Sequence, residues 1–167
     1  RNLARGASSV DDVVSAENVT LSGNGWNTAP SDEAQVVNDE ALELHFTTVM
    51  AGTSGIAIRT AALGDALLRG VLIVGSCAAT TGGAPAIDSS GGNVESPDDT
   101  CELIDPSDRP SIPDPGLGPL AATTRTLPVH ALLAGSVAID AAAGADCPAT
   151  DERGSARHDV HVPERHG

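Results

Sequence analysis

A chain of 167 residues, 40% of them hydrophobic, is long enough for one domain with its own core. Nine Arg and no Lys stand against 23 Asp plus Glu, a net charge of −14. Scattered Arg on so acidic a chain argues against nucleic acid and against an anionic membrane surface, which both call for clustered cations, and makes cations such as Ca²⁺ the attractive partners.

In chain order, the sequence opens at Arg1 without Met or an apolar signal-type segment, which reads as a fragment or a mature product whose targeting segment lies upstream. No apolar run approaches the roughly 18 to 20 residues that span a bilayer, so no transmembrane segment is expected. The first β-prone run is Val19-Thr20-Leu21-Ser22, followed by Gly23-Asn24. The same order of β-prone run, small residue, Gly and polar residue recurs at Thr48–Thr53, Leu72–Ser76 and, more faintly, Ser90–Asn93. The anchoring glycines, Gly23, Gly52, Gly75 and Gly92, are loosely spaced, as in the coils of a β-solenoid with loops of variable length.

Each run has too little apolar surface to be stable alone, whereas stacking like faces buries a continuous column. Leu21, Val49 and Ile73 are the expected column, with Gly and Asn turning the corners. Trp26 and Phe46 are the only aromatics, and a core of Ala, Val, Leu and Ile suits layers better than an irregular interior. A β-sandwich with hairpin turns, for example at Asn24-Gly25, is the alternative fold.

Residues 26–41 are polar and acidic and read as an excursion from the first coil, with Trp26 over exposed core at its base. Residues 78–116 are rich in Gly, Pro, Ser and Asp and read largely as loop. Regular structure is expected to return at Leu117, where Leu127, Val129, Ala131 and Leu133 alternate like a half-buried strand. The expected organisation is therefore an all-β domain, a right-handed single-stranded parallel β-helix with coils and long acidic loops over 1–116. A loop-rich C-terminal cap over 117–157 and a disordered tail over 158–167 complete it.

Candidate chemistry is sparse. Cys77, Cys101 and Cys147 lack the spacing of a metal site, and a Cys77–Cys101 disulfide, which implies an oxidising compartment, is the better reading; Cys147 is then unpaired. Glu43, His45 and Arg59 are the candidates for a ligand face, since β-helix enzymes acting on acidic polysaccharides place carboxylates, His and Arg on one exposed face. Asp98, Asp99 and Asp105, with Asp108 and Asp114, lie in an acidic loop to which Ca²⁺ could bind, but without any calcium-loop motif, and four prolines favour a solvated loop. His158, Asp159, His161, Glu164 and His166 alternate at metal-ligand spacing but stand in a polar terminal stretch with nothing to fix their geometry. His130, inside an apolar strand, reads first as a structural hydrogen-bonding residue, with a functional role as the lesser alternative. Asp140, Asp151 and Arg153 read as turn and ion-pair residues.

Three segments are far more specific: Leu117-Gly118-Pro119-Leu120, Leu127 to Asp140, and Cys147 to Gly154. Together with Gly91-Gly92-Asn93-Val94-Glu95-Ser96 and Cys101, they resemble the C-terminal region of bacterial β-helix proteins carrying the choice-of-anchor Q domain. The resemblance covers roughly residues 65–157 and implies secretion and attachment to the cell surface. The family's usual ending, a second Cys before an Asp-Ile-Gly-Ala type strand, is replaced here by His158–Gly167. This departure leaves Cys147 without the partner the family would give it, as truncation or an altered reading frame would. The expected function is a non-catalytic secreted or cell-surface module with a structural or adhesive role, meeting polysaccharide or a surface component. A fragment of a polysaccharide lyase or glycoside hydrolase is the alternative.

Overall fold

The computed structural model describes residues 13–23, 34–52, 55–122, 127–142 and 147–157. Trp26, Asn24-Gly25 and the terminal His and acidic residues from His158 onward lie outside the described residues.

Short β-prone runs separated by corner residues wind into a solenoid with three strands per coil. The first coil is β1 (Val13–Glu17), β2 (Thr20–Ser22) and β3 (Ala34–Asn38). The second is β4 (Ala41–His45), β5 (Thr48–Met50) and β6 (Ile56–Thr60), and the third β7 (Asp65–Arg69), β8 (Leu72–Val74) and β9 (Ser76–Ala79). A partial fourth coil adds β10 (Ile87–Ser89) and β11 (Val94–Ser96). Every third strand stacks in parallel, giving the sheets β1-β4-β7-β10, β2-β5-β8-β11 and β3-β6-β9. The fold is thus an all-β parallel solenoid of about three turns, not a sandwich. Among the described residues there is no helix, hence none long and apolar enough to cross a membrane.

Because side chains alternate along a strand, in-register stacking lines up like residues. The inward columns run Val14–Leu42–Ala66–Ile87 and Ala16–Leu44–Leu68–Ser89 in the first sheet. The second sheet contributes Leu21–Val49–Ile73–Glu95, and the third Val36–Ile58–Cys77. Leu21, Val49 and Ile73 therefore stack as the sequence suggests. Leu44, Val49, Ile58, Leu68 and Ile73 are fully buried, each contributing roughly 1.5–3 kcal/mol of transfer free energy.

The corner between the first and second sheets is left-handed in every coil: φ is 55° at Asn18, 50° at Phe46, 60° at Gly70 and 71° at Gly92. Asn and Gly enter this region easily; Phe46 does so because its neighbours in the ladder over-determine it. At the two glycines space matters as well. A Cβ on Gly70 would stand 2.7 Å from Cβ of Ala142, and one on Gly92 2.8 Å from Cα of Ala142. Small residues on both sides let the C-terminal segment cross the last two coils closely.

Three expectations are corrected. Residues 78–116 are largely loop, as expected, but regular structure returns well before Leu117: the end of β9, all of β10 and β11, and a further bridge from Val94 to Arg109 lie within them. Strands of three or four residues between Gly, Pro and Asp give too short a pattern for the alternation to register. The fourth glycine anchor is also misassigned, because Gly92 stacks on Gly70 at the first corner, whereas Gly75 turns the second corner. Finally, residues 26–41 are not wholly an excursion, since 34–38 form β3 and pair with β6.

After the fourth coil, β12 (Leu117–Ala121) and β13 (Val129–Leu132) form an antiparallel hairpin. Its alternation does not bury one side: Leu127 and Leu133 are at least half exposed, because no described layer covers that side. The hairpin and residues 136–142 and 147–157 run along the side of the solenoid, back from the fourth coil to the first. Arg109 Nη1 donates to the Val137 carbonyl at one end of this strap, and Asn18 Nδ2 to the Thr150 carbonyl (3.1 Å) at the other.

Candidate functional site

Glu43 and His45, two residues apart on β4, share the outer face of the first sheet, with His45 Nε2 3.9 Å from Glu43 Oε2. Register places His45 between Glu17 and Arg69 on neighbouring coils. Arg59 lies on β6 in the third sheet, around a corner from the pair. Two of the three ligand-face candidates are thus together and the third is on another face.

In the acidic loop Asp98, Asp99 and Asp114 are exposed, whereas Asp105 and Asp108 are half-buried and engaged by nearby donors. Asp108 accepts from Ser89 Oγ (2.5 Å), Asn93 N (2.9 Å), Asn93 Nδ2 (3.0 Å) and Asp105 N (3.2 Å). Asp105 accepts from Ser107 N and Oγ, and these two donors hold its carboxyl below the usual carboxylate range. Asp98 lends its backbone carbonyl to Ser111 N, and Asp99 lies near Glu95 and disfavours its charge. Asp114 accepts from Gly116 N. Among the described residues no three or more His, Cys, Asp or Glu side chains are grouped so as to hold a metal ion. Asp98, Asp99 and Asp105 therefore do not assemble a Ca²⁺ site.

Cys77 and Cys101 are joined in a disulfide, with Cα atoms 4.9 Å apart. Cys101 is fully buried and belongs to the same core cluster as Ile58 and Cys77. Cys147 is free and half-buried.

Above the Leu21–Val49–Ile73 column stands Glu95, fully buried. Its Oε1 accepts from Thr100 N and Thr100 Oγ1 (both 2.7 Å) and from Cys101 N (3.1 Å). Thr100 Oγ1 in turn accepts from Cys77 N (2.8 Å), so one carboxylate organises both halves of the disulfide. Burial pushes the Glu95 carboxyl above its ordinary value despite these donors, and nearby Asp99 adds to the rise. Beside it, Asn93 is also fully buried; its Oδ1 accepts from Val71 N (2.8 Å) and its Nδ2 donates to the Leu68 carbonyl, Ser89 and Asp108. Sequence reasoning missed both roles. The signal was present in Asn93-Val94-Glu95, where polar residues stand immediately before and within a short strand, but register alone turns it into burial.

Between the corner ladder and the strap lies a cleft of about 420 Å³. Gly70 and Gly92 meet Ala141 and Ala142 at one end of it, and toward the first two coils it is lined by Asn18 and Phe46. The strap closes this lower end by a dense set of polar contacts. Glu152 accepts from Thr20 N (2.9 Å) and Thr20 Oγ1, and Arg157 Nη2 donates to Asn18 Oδ1 (2.6 Å) while its guanidinium lies 5.9 Å from the Phe46 ring centroid. Asp151 is partly buried, which by itself would raise its pKa. The Arg153 side chain at 2.6 Å and the Arg153 and Ser155 N–H groups outweigh that, and the carboxyl is held below its usual range. His130 enters the cleft from β13, with Nδ1 2.9 Å from the Gly118 carbonyl and Nε2 3.0 Å from Ser22 Oγ. Of the cap residues read as turn and ion-pair groups, Asp151 and Arg153 do pair, and Asp140 takes a left-handed turn conformation at φ 56°.

No family model, no curated protein and no solved structure matches the chain.

Proposed function

We propose that this chain is a secreted or cell-surface β-solenoid module with a structural or adhesive role, which holds a polysaccharide or another surface component without breaking its glycosidic bonds. The observation that carries the reading is where the carboxylates go. Glu95, Asp108, Asp151 and Glu152 are each engaged by donors of the chain's own scaffold, and Glu43 and His45 share a sheet face from which Arg59 is absent. A hydrolase or lyase acting on a sugar chain needs an acid and a base facing one substrate position; Glu43 and His45 share a face but lie 3.9 Å from each other, and the Arg59 expected beside them is on another sheet. The Cys77–Cys101 disulfide is compatible with an oxidising compartment, and the resemblance of residues 65–157 to choice-of-anchor Q proteins favours the cell surface.

The test is a thermal-shift titration with acidic and neutral polysaccharides, with and without Ca²⁺, alongside assays for unsaturated sugars and new reducing ends. Stabilisation without chain cleavage is expected. Cleavage products would overturn the reading and direct attention to Glu43 and His45 as members of an active site.

A further inference from the structure

We propose that Ser22 and His130 form a nucleophile–base pair for acyl transfer, giving the module the ability to hydrolyse carboxylic esters. This goes beyond the binding role, and it concerns a bond that a sugar-chain hydrolase would not touch.

Ser22 ends β2. Leu21 points into the core, so Thr20 and Ser22 face outward, and Gly23 at φ 68° turns the chain away immediately afterwards. The Ser22 hydroxyl is thus held on the outer face at a strand end, half-buried. His130 comes from β13, 108 residues away in sequence. Its Nδ1 faces the Gly118 carbonyl at 2.9 Å, and a carbonyl can only accept, so Nδ1 carries the proton. In the neutral ring Nε2 is then the acceptor, and it lies 3.0 Å from Ser22 Oγ. Hydroxyl, imidazole and a fixed acceptor behind the imidazole stand in the order that activates a serine, with the Gly118 carbonyl as the positioning group. The strap carboxylate Glu152 is engaged by Thr20, two residues before Ser22 on β2. The imidazole borders the cleft, and Ser22 follows two residues after Thr20, which lines it.

The step balances without any group the chain lacks. Ser22 Oγ attacks the ester carbonyl carbon while its proton passes to His130 Nε2, and the carbonyl π pair moves onto oxygen. The tetrahedral species re-forms its C=O bond and expels the alkoxide, which takes the proton from His130 and leaves as the alcohol. Water then attacks the acyl-serine by the same route, releasing the carboxylic acid and restoring the hydroxyl. Ester and water go in; acid and alcohol come out.

A fluorophosphonate probe applied to the full chain, followed by intact mass and peptide mapping, reads this directly, since an activated serine displaces fluoride and becomes phosphonylated. One adduct is expected, on Ser22. Ser22→Ala should abolish it, and His130→Gln, which keeps a polar side chain but removes the base, should slow it by about 10²-fold or more. The same rank order is expected for p-nitrophenyl acetate hydrolysis, with the thermal melts of both variants confirming the fold. Ser15, exposed on β1, and Ser76, whose hydroxyl donates to the Gly55 carbonyl, are internal controls within the wild-type chain. Absence of an adduct on Ser22, equal labelling at Ser15 or Ser76, or labelling of undiminished rate in His130→Gln each overturns the proposal. Because the probe reads one hydroxyl, failure here leaves the polysaccharide titration, and the reading it tests, standing or falling separately.

Discussion

The two ends of the solenoid present the same problem, a cut stack of strands with unpaired backbone and exposed column ends, and they are closed by different chemistry. At the upper end the chain itself adds part of another layer. Glu95 N donates to the Arg109 carbonyl and Ile112 N to the Glu95 carbonyl; the Leu21–Val49–Ile73 column ends in Glu95 and Cys101 joins the core, both fully buried, while the first-sheet columns end in half-buried Ile87 and Ser89. At the lower end a distant segment reaches back. In successive coils Thr48 N donates to the Val19 carbonyl, Leu72 N to the Thr47 carbonyl and Val94 N to the Val71 carbonyl, all at 2.9 Å. In the first coil, with no described coil below, Thr20 N finds its acceptor in the Glu152 carboxylate, also at 2.9 Å. One end is sealed by a covalent bond and buried polar groups, the other by surface hydrogen bonds over half-buried Val14, Ala16, Leu21 and Val36. Edge strands invite pairing with other chains unless covered, so the upper end is the more secure against it.

The largest test of that difference removes the covalent link. Cys77 and Cys101 are 24 residues apart, and opening a loop of that length costs about 3 kcal/mol in the chain-entropy account. Cys77→Ala with Cys101→Ala should lower the thermal midpoint by about 6–12 °C, the shift such a loss produces in a chain of this size. Hydrogen exchange should quicken first in amides of residues 94–112, with Thr20 unaffected. Equal loosening at both ends would mean that the solenoid melts as one unit and the contrast has no energetic content.

The contrast was only partly legible beforehand. The solenoid, the Leu21–Val49–Ile73 column and the Cys77–Cys101 pair are carried by local patterns: strand length, inward alternation and cysteine count. The fourth coil was hidden because its residues are the residues of turns. β10 and β11 have three residues each, flanked by Gly, Pro and Asp, and composition cannot separate a solvated loop from a short strand stacked on a longer one. Glu95 has the same difficulty in sharper form: near Asp98 and Asp99 it reads as one more acidic surface residue, and only register over Ile73 buries it. Glu152 with Thr20, and His130 with Ser22, join residues 132 and 108 positions apart, a distance over which a single sequence carries no local signal. The candidate ester-cleaving pair was half visible, since His130 stood out and Ser22 did not.

Glu95 sharpens the comparison through pH. Its carboxyl titrates above the ordinary value in the folded chain, so its protonated form is favoured there. The stability this contributes is fully present below about pH 4.5, the unfolded value, and is lost as pH rises through the raised folded one. Glu95→Gln has no proton to exchange, while its amide oxygen can still accept from Thr100. Thermal midpoints of the two proteins across pH 4 to 8 should therefore diverge in one direction, with the wild type gaining on the variant as pH falls. Asp105 and Asp151, held low, lose stability in the opposite sense as pH falls, but they are common to both proteins and cancel in the difference. A difference that stays flat, or that favours the wild type at high pH, would mean that the donors of Thr100 and Cys101 outweigh burial at the upper end.

The lower end should respond least and most locally. Glu152→Ala removes the acceptor of Thr20 N and Thr20 Oγ1, but both donors sit at a half-buried edge where water can replace the carboxylate. A hydrogen bond to a charged group in that setting is worth about 1 kcal/mol once solvent competition is included. The expected result is a small fall in midpoint together with a marked gain in exchange at the Thr20 amide, and no change in amides 94–112. The informative consequence concerns association: with Glu152 gone, β2 offers an unpaired N–H row on a strand whose column is only half covered. Sedimentation of the variant at increasing concentration should then reveal stronger self-association than the wild type shows. If the variant associates no more than its parent, the strap's contacts hold the hairpin in place and the edge of the first coil is protected by something other than Glu152.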